Sequence, residues 1–162
     1  MNSEIKAMLL ACEGRYPTKA EQALLRDWAA KLEGRLTALE DIRQREEAII
    51  GQTIDEVLRA YPDFEKRYKD ARQSCTRDMT LVLRYCAQAM LRNDTQYLED
   101  SILTWMATIL RGVGFTSQFV EDTYKTMLKT AMRELPPASA ELLRPYLELC
   151  VVTLPGKSKG AS

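Results

Sequence analysis

Apolar residues recur at helical spacing along almost the whole chain, and strict two-residue alternation does not occur. Ile5, Met8, Leu9 and Cys12 form one side of a short helix over Met1 to Cys12, which Gly14 ends. Tyr16-Pro17 predicts a corner. Thr18 and Glu21 stand three apart as a capping box for the next helix, whose stripe is Leu24, Leu25, Trp28 and Leu32. Gly34 is read as its end. Arg35 to Ala60 is the next strongly helical segment, with Gly51 as a point of division. Tyr61-Pro62-Asp63 predicts a turn with Asp63 as N-cap. Phe64 to Leu91 holds neither Gly nor Pro and is expected to be the longest helix. Asn93-Asp94 breaks it, Tyr97 to Arg111 is the next helix, and Gly112 to Gly114 a sharp turn. Thr116 caps a helix to about Leu135. Pro136-Pro137 precede a last helix over Ser139 to Leu154, which Pro145 should delay or kink. Residues 155–162 are polar and expected to be a flexible tail. The pattern predicts an all-α, globin-sized bundle of seven to nine helices, a single domain over residues 1–154.

Composition narrows the chemistry. The 162 residues carry 23 basic and 23 acidic side chains, so the basic excess of a nucleic-acid binder is missing. No apolar run is long enough for a transmembrane segment, and the N-terminus is too polar for a signal peptide, so a cytoplasmic location is the expectation. Histidine is absent, which removes imidazole acid–base chemistry and a haem-ligating imidazole. With no nucleophile–base pair or phosphate loop either, the chain is not expected to be an enzyme. Cys12, Cys75, Cys86 and Cys150 match no zinc or CxxC spacing. Cys12, Cys86 and Cys150 are expected to fill the core. Trp28 and Trp105 lie on apolar stripes and are expected to pack.

One turn stands apart. Cys75-Thr76-Arg77-Asp78 puts a thiol and a carboxylate three residues apart on one helix face. Arg77 lies about 200° round from Cys75, while Cys86 returns to within about 20° of it. A ligand using this face needs an electrophile for the thiol and N–H donors for the carboxylate. A linear tetrapyrrole, or bilin, has both, with propionates for arginines. Spacing alone favours a core cysteine beside a solvated Arg77–Asp78 pair.

The order of several anchors resembles the phycobiliproteins, most closely their allophycocyanin branch. The anchors are Arg15-Tyr16-Pro17-Thr18, Gly34-Arg35, Tyr61-Pro62-Asp63, Cys75-Thr76-Arg77-Asp78, Leu83-Arg84, Gly112 to Gly114 and Arg144-Pro145-Tyr146-Leu147. The resemblance implies a globin-like helical bundle with two extra N-terminal helices that mediate assembly. It implies a phycocyanobilin-type bilin, thioether-linked to Cys75, with Asp78 on the central pyrrole nitrogens and Arg77 on a propionate. Arg72 and Lys69 are further candidates for the propionates. Tyr16 and Arg84 match the family's inter-subunit contact.

The implied function is light harvesting and excitation transfer in a phycobilisome at the cytoplasmic face of thylakoid membranes. The implied partners are another phycobiliprotein subunit or a second copy, in a dimer or ring, with a bilin lyase and linker proteins. Departures motivate an alternative: a bilin carrier, a phycobilisome assembly or degradation factor, or a bilin-independent interaction module. The segment between Asp63 and Cys75 is short and lacks the family's Gly-Gly-Asn. Leu81, Val82 and Leu110 stand where pocket tyrosines are usual, Trp105 where a small residue is common, and Ala11 where the partner-binding aspartate is usual.

Overall fold

The computed structural model describes residues 2–156, and every regular element among them is helical. The order is α1 (Ser3–Ala11), α2 (Lys19–Ala30), α3 (Leu32–Ala60), α4 (Phe64–Arg67), α5 (Ala71–Arg92), α6 (Thr95–Leu98), a π-helical turn (Glu99–Leu103), α7 (Thr104–Gly112), α8 (Ser117–Glu134) and α9 (Pro137–Thr153). α3 is the spine, packed against α5, α8 and α9. It buries Ala38, Ile42, Ile49, Ile50, Ile54 and Val57 at helical intervals. α5 answers with Met79, Val82, Leu83 and Cys86, and α9 with Leu143, Leu147 and Cys150. This is the all-α, globin-like bundle with two N-terminal helices outside it. Cys12, Cys86 and Cys150 are buried and free, as core residues. The Cys86 and Cys150 sulfurs lie 3.4 Å apart.

The N-terminal helices are placed by polar contacts. The capping box is present: the Thr18 hydroxyl accepts from the Glu21 N–H and the Glu21 carboxylate from the Thr18 N–H. Gly34 does not end α2. That helix meets α3 at Lys31, and Gly34 lies inside α3. Arg35 explains the junction. It is 3% exposed, donates to the carbonyls of Trp28 and Lys31, and stacks over the Trp28 ring at 5.1 Å. A guanidinium there satisfies the orphan carbonyls that end α2. The Trp28 Nε1–H in turn donates to the Arg92 carbonyl at 3.1 Å.

α1 is held by Asp94. This buried carboxylate accepts from both the N–H and the hydroxyl of Ser3 at 2.7 Å, and from the Tyr97 N–H at 3.1 Å. It thus caps α6 and the start of α1 together. Burial pushes its carboxyl up, but the bonds from the Ser3 hydroxyl and from the Tyr97, Ser3 and Gln96 backbone outweigh that and hold it below its ordinary value. A carboxyl lowered on folding stabilises the fold above its unfolded value of about 3.9, and the contribution is lost as pH falls through the folded value. Asp94→Ala should cost about 1 kcal/mol at neutral pH. Amide exchange over residues 3–11 should rise both in that variant and in the unaltered protein taken well below pH 4. Unchanged protection in both would contradict the clamp.

Several further local expectations differ. The segment over Phe64 to Leu91 is not one helix, and α3, at 29 residues, is the longest. Tyr68 is extended and Asp70 left-handed, with φ 58°, so α4 is a short piece before α5. The break lets Phe64 and Tyr68 turn onto Phe115 and Phe119 (ring centroids 4.4 to 5.4 Å apart). Asp tolerates the left-handed conformation better than most L-residues, and the ring packing decides against helix propensity. Asp63 does stand at the N-cap position of α4, but its side chain makes no cap bond and pairs instead with Lys66 at 3.0 Å. Pro145 sits inside an unbroken α9 that starts at Pro137. Trp105 is 41% exposed, not packed. The π-helical turn rotates it outward, where its Nε1–H donates to the Ser101 carbonyl at 2.8 Å. Of the expected tail, Pro155 is buried and accepts from the Ser117 hydroxyl. Residues 157–162 lie outside the described residues, as does Met1.

Candidate functional site

α5 carries Cys75 and Asp78 one turn apart, and both line the same small cavity. Met79, buried on the same helix, also lines it. The opposite wall is Leu110 at the end of α7, Phe115 in the turn, and Phe119, Val120, Thr123 and Tyr124 on α8. The cavity holds about 30 Å³. Beyond Phe115 and Phe119 lies an open cleft of about 370 Å³, whose other lining includes Tyr61, Phe64, Arg67, Tyr68 and Gly114. Those two phenylalanines are the residues common to both spaces.

Cys75 is half-buried. Burial first, and the Asp78 charge second, push its thiol up to about 11. It is therefore mostly protonated near neutral pH, a poor nucleophile until a base or an opening of the site assists it. The Asp78 carboxylate is 29% exposed and accepts from Arg77 Nε at 2.9 Å. Arg77 itself is 74% exposed at the side chain and stands on the flank, outside the cavity lining. Thr123 spends its hydroxyl proton on the Phe119 carbonyl at 2.7 Å.

The structure brings Cys75 and Asp78 together on one wall and leaves the other predicted site residues outside it. Arg72 bonds across to Asp55 at 2.8 Å. Lys69 is exposed in the turn before α5. Arg84 makes a bidentate pair with Glu46 on α3 (2.8 and 2.6 Å). Tyr16 is 94% exposed at the corner between α1 and α2. Leu110 lines the cavity, whereas Val82 is in the core and Leu81 faces outward. Sequence reasoning missed Phe115, Phe119 and Tyr124. On α8, Phe119, Val120, Thr123 and Tyr124 form a stripe that reads as ordinary core, and nothing in the spacing sets it apart.

The donor set suits a bilin: a thiol, a carboxylate one turn on, and aromatic walls. Space is the obstacle. Ligand pockets run to about 300–1,000 Å³, and the Cys75 cavity is far below that while Phe115 and Phe119 divide it from the cleft.

Residues 11–154 match the model of the family described as "Phycobilisome protein". The chain belongs to the phycobilisome protein family. It is also 22% identical over 144 residues to the allophycocyanin alpha-B chain of Cyanophora paradoxa, covering 86% of this chain and 89% of that one. The family match takes in α2 through α9 and so both walls of the Cys75 cavity. Among the described residues of this phycobilisome protein, no helix is long and apolar enough to cross a membrane.

Proposed function

We propose that this phycobilisome protein is a bilin-binding subunit that takes part in light harvesting and energy transfer. The observation that carries the reading is the shared wall of Cys75 and Asp78 opposite Phe115 and Phe119. The Cys75 thiol would add across the electrophilic double bond of a phycocyanobilin-type bilin. Sulfur bonds to one carbon, the proton goes to the other, and a thioether results. Asp78 would accept the pyrrole N–H groups, and Arg77 would reach a propionate from the flank, with Arg72 and Lys69 along the same edge. Such a subunit performs no turnover, so it is not an enzyme. The high thiol value supports assistance by a bilin lyase. Tyr16 and Arg84 would serve the contact with another phycobiliprotein subunit or a second copy in a dimer or ring, with linker proteins joining such units. The setting would be the cytoplasmic face of the thylakoid.

Co-expression with bilin synthesis tests this directly. A denaturing gel stained for zinc-enhanced fluorescence should show a fluorescent band that Cys75→Ala abolishes. A band that persists in the variant would place the tether elsewhere. The 30 Å³ cavity favours a second reading, a bilin carrier or phycobilisome assembly factor that holds pigment without a bond. Colour lost on denaturation, from a protein that elutes as a monomer, would select it. No colour under either condition would point to a bilin-independent interaction module.

A further inference from the structure

We propose that Cys86 and Cys150 form a redox-sensitive staple, a dithiol that closes to a disulfide under peroxide and ties α5 to α9. Neither the cysteine spacing nor the family match assigns such a role, and the pair would close whether or not Cys75 carries a pigment.

The two sulfurs lie 3.4 Å apart in the core, although the residues are 64 apart in the chain. Both side chains are fully buried and both thiols are free. Cys86 Sγ meets α9 at two points one turn apart, the Cys150 sulfur and, at 3.8 Å, the Tyr146 carbonyl. The sulfurs are therefore already in contact, and a bond of about 2.05 Å needs an approach of only about 1.4 Å. Cys12 differs, because its sulfur neighbour is the Met8 thioether at 3.8 Å, which has no thiol to offer.

The oxidation balances with hydrogen peroxide. One thiol takes an oxygen from peroxide and becomes a sulfenic acid, with release of one water. The second sulfur attacks the first, its proton leaves with the hydroxyl as a second water, and the S–S bond forms. Two electrons pass from the sulfur pair to peroxide. With the partner in contact, the sulfenic acid is resolved without a long-range rearrangement. Burial first, and the bond to Cys150 second, raise the Cys86 thiol well above its ordinary value, so it stays protonated and reacts slowly. The staple thus answers sustained oxidation and not brief exposure. Once formed it closes a loop of 64 residues, which constrains the unfolded chain.

The test takes the full-length reduced protein, well below its thermal midpoint, through a series of hydrogen peroxide concentrations. Free thiols are then capped in denaturant and the peptides mapped by mass spectrometry. The expected product gives a linked pair of peptides holding Cys86 and Cys150, short of two hydrogens, with Cys12 and Cys75 in no bridge. Its thermal midpoint should lie about 10 °C above that of the reduced protein and fall back after full reduction with dithiothreitol. Cys150→Ala should lose both the linked pair and the rise. That comparison is between two redox states of one protein, so a lower starting stability of the variant does not blur it. All 4 thiols still free after peroxide, a sulfinic acid in place of the bridge, or a bridge to Cys12 or Cys75 would overturn the proposal. So would a bridged protein whose midpoint is unchanged or lower, or a rise that persists in Cys150→Ala.

Discussion

Asp78→Asn should leave the bilin attached at Cys75 while its emission falls by roughly an order of magnitude. The two effects separate because they depend on different groups. Attachment needs the thiol, and the Asp78 charge is one of the two causes that hold that thiol up to about 11. Neutralising it lowers the barrier to forming the thiolate, so attachment should proceed at least as fast. Emission needs a rigid, extended pigment. An ionised carboxylate accepts N–H bonds about twice as strong as a neutral amide does, and an amide also turns a competing N–H₂ donor toward the rings. The loss of restraint is about 1.4 kcal/mol, which is tenfold in the population of the held conformer. Arg77 adds to the effect, since its 2.9 Å bond to Asp78 loses its charged acceptor. Fluorescence yield per attached bilin, normalised by absorbance of the denatured protein, measures it. A native-like yield with native-like red absorption would remove Asp78 from the role.

What the sequence made legible was local, and what it hid was set by packing between distant segments. The Thr18–Glu21 capping box is complete within four residues, and it formed as expected. Cys75 and Asp78 are three apart on one helix, so their common face is a matter of helix geometry alone. The break at Tyr68 to Asp70 is not. It depends on Phe64 and Tyr68 meeting Phe115 and Phe119, some fifty residues on, and no propensity in Phe64 to Leu91 records that. Gly34 misled for a related reason. A glycine weakens a helix by about 1 kcal/mol, but the buried Arg35 next to it ties α3 to the end of α2 and decides the junction. Trp105 was legible as apolar but not as exposed, because one extra residue in the π-helical turn shifts the phase of everything after it. Tyr124 was hidden in another way. Its position in the core stripe is predictable, whereas its place in the lining of the Cys75 cavity depends on which segments α8 packs beside.

Phe119→Ala should lower the stability of the ligand-free protein by about 3 kcal/mol or somewhat more, and bilin attachment should return a large part of the loss. Phe119 is 7% exposed, stacks on Phe64 at 4.4 Å and meets Tyr61 edge-on at 5.0 Å. Truncating it removes those contacts and joins the 30 Å³ cavity at Cys75 to the 370 Å³ cleft beyond it. Without ligand this is a cavity substitution in the core. With a bilin at Cys75 the new space is where the pigment would extend, and its rings replace the phenyl group against Phe64 and Phe115. Urea unfolding of the colourless and the pigmented variant, beside the unaltered protein in both states, gives the four midpoints needed. The pigmented variant should lie closer to its unaltered counterpart than the colourless one does. A difference that is the same with and without pigment would mean that the bilin never enters the space behind Phe119. It would then lie across the outer edge of α5, and Phe115 and Phe119 would be core residues only.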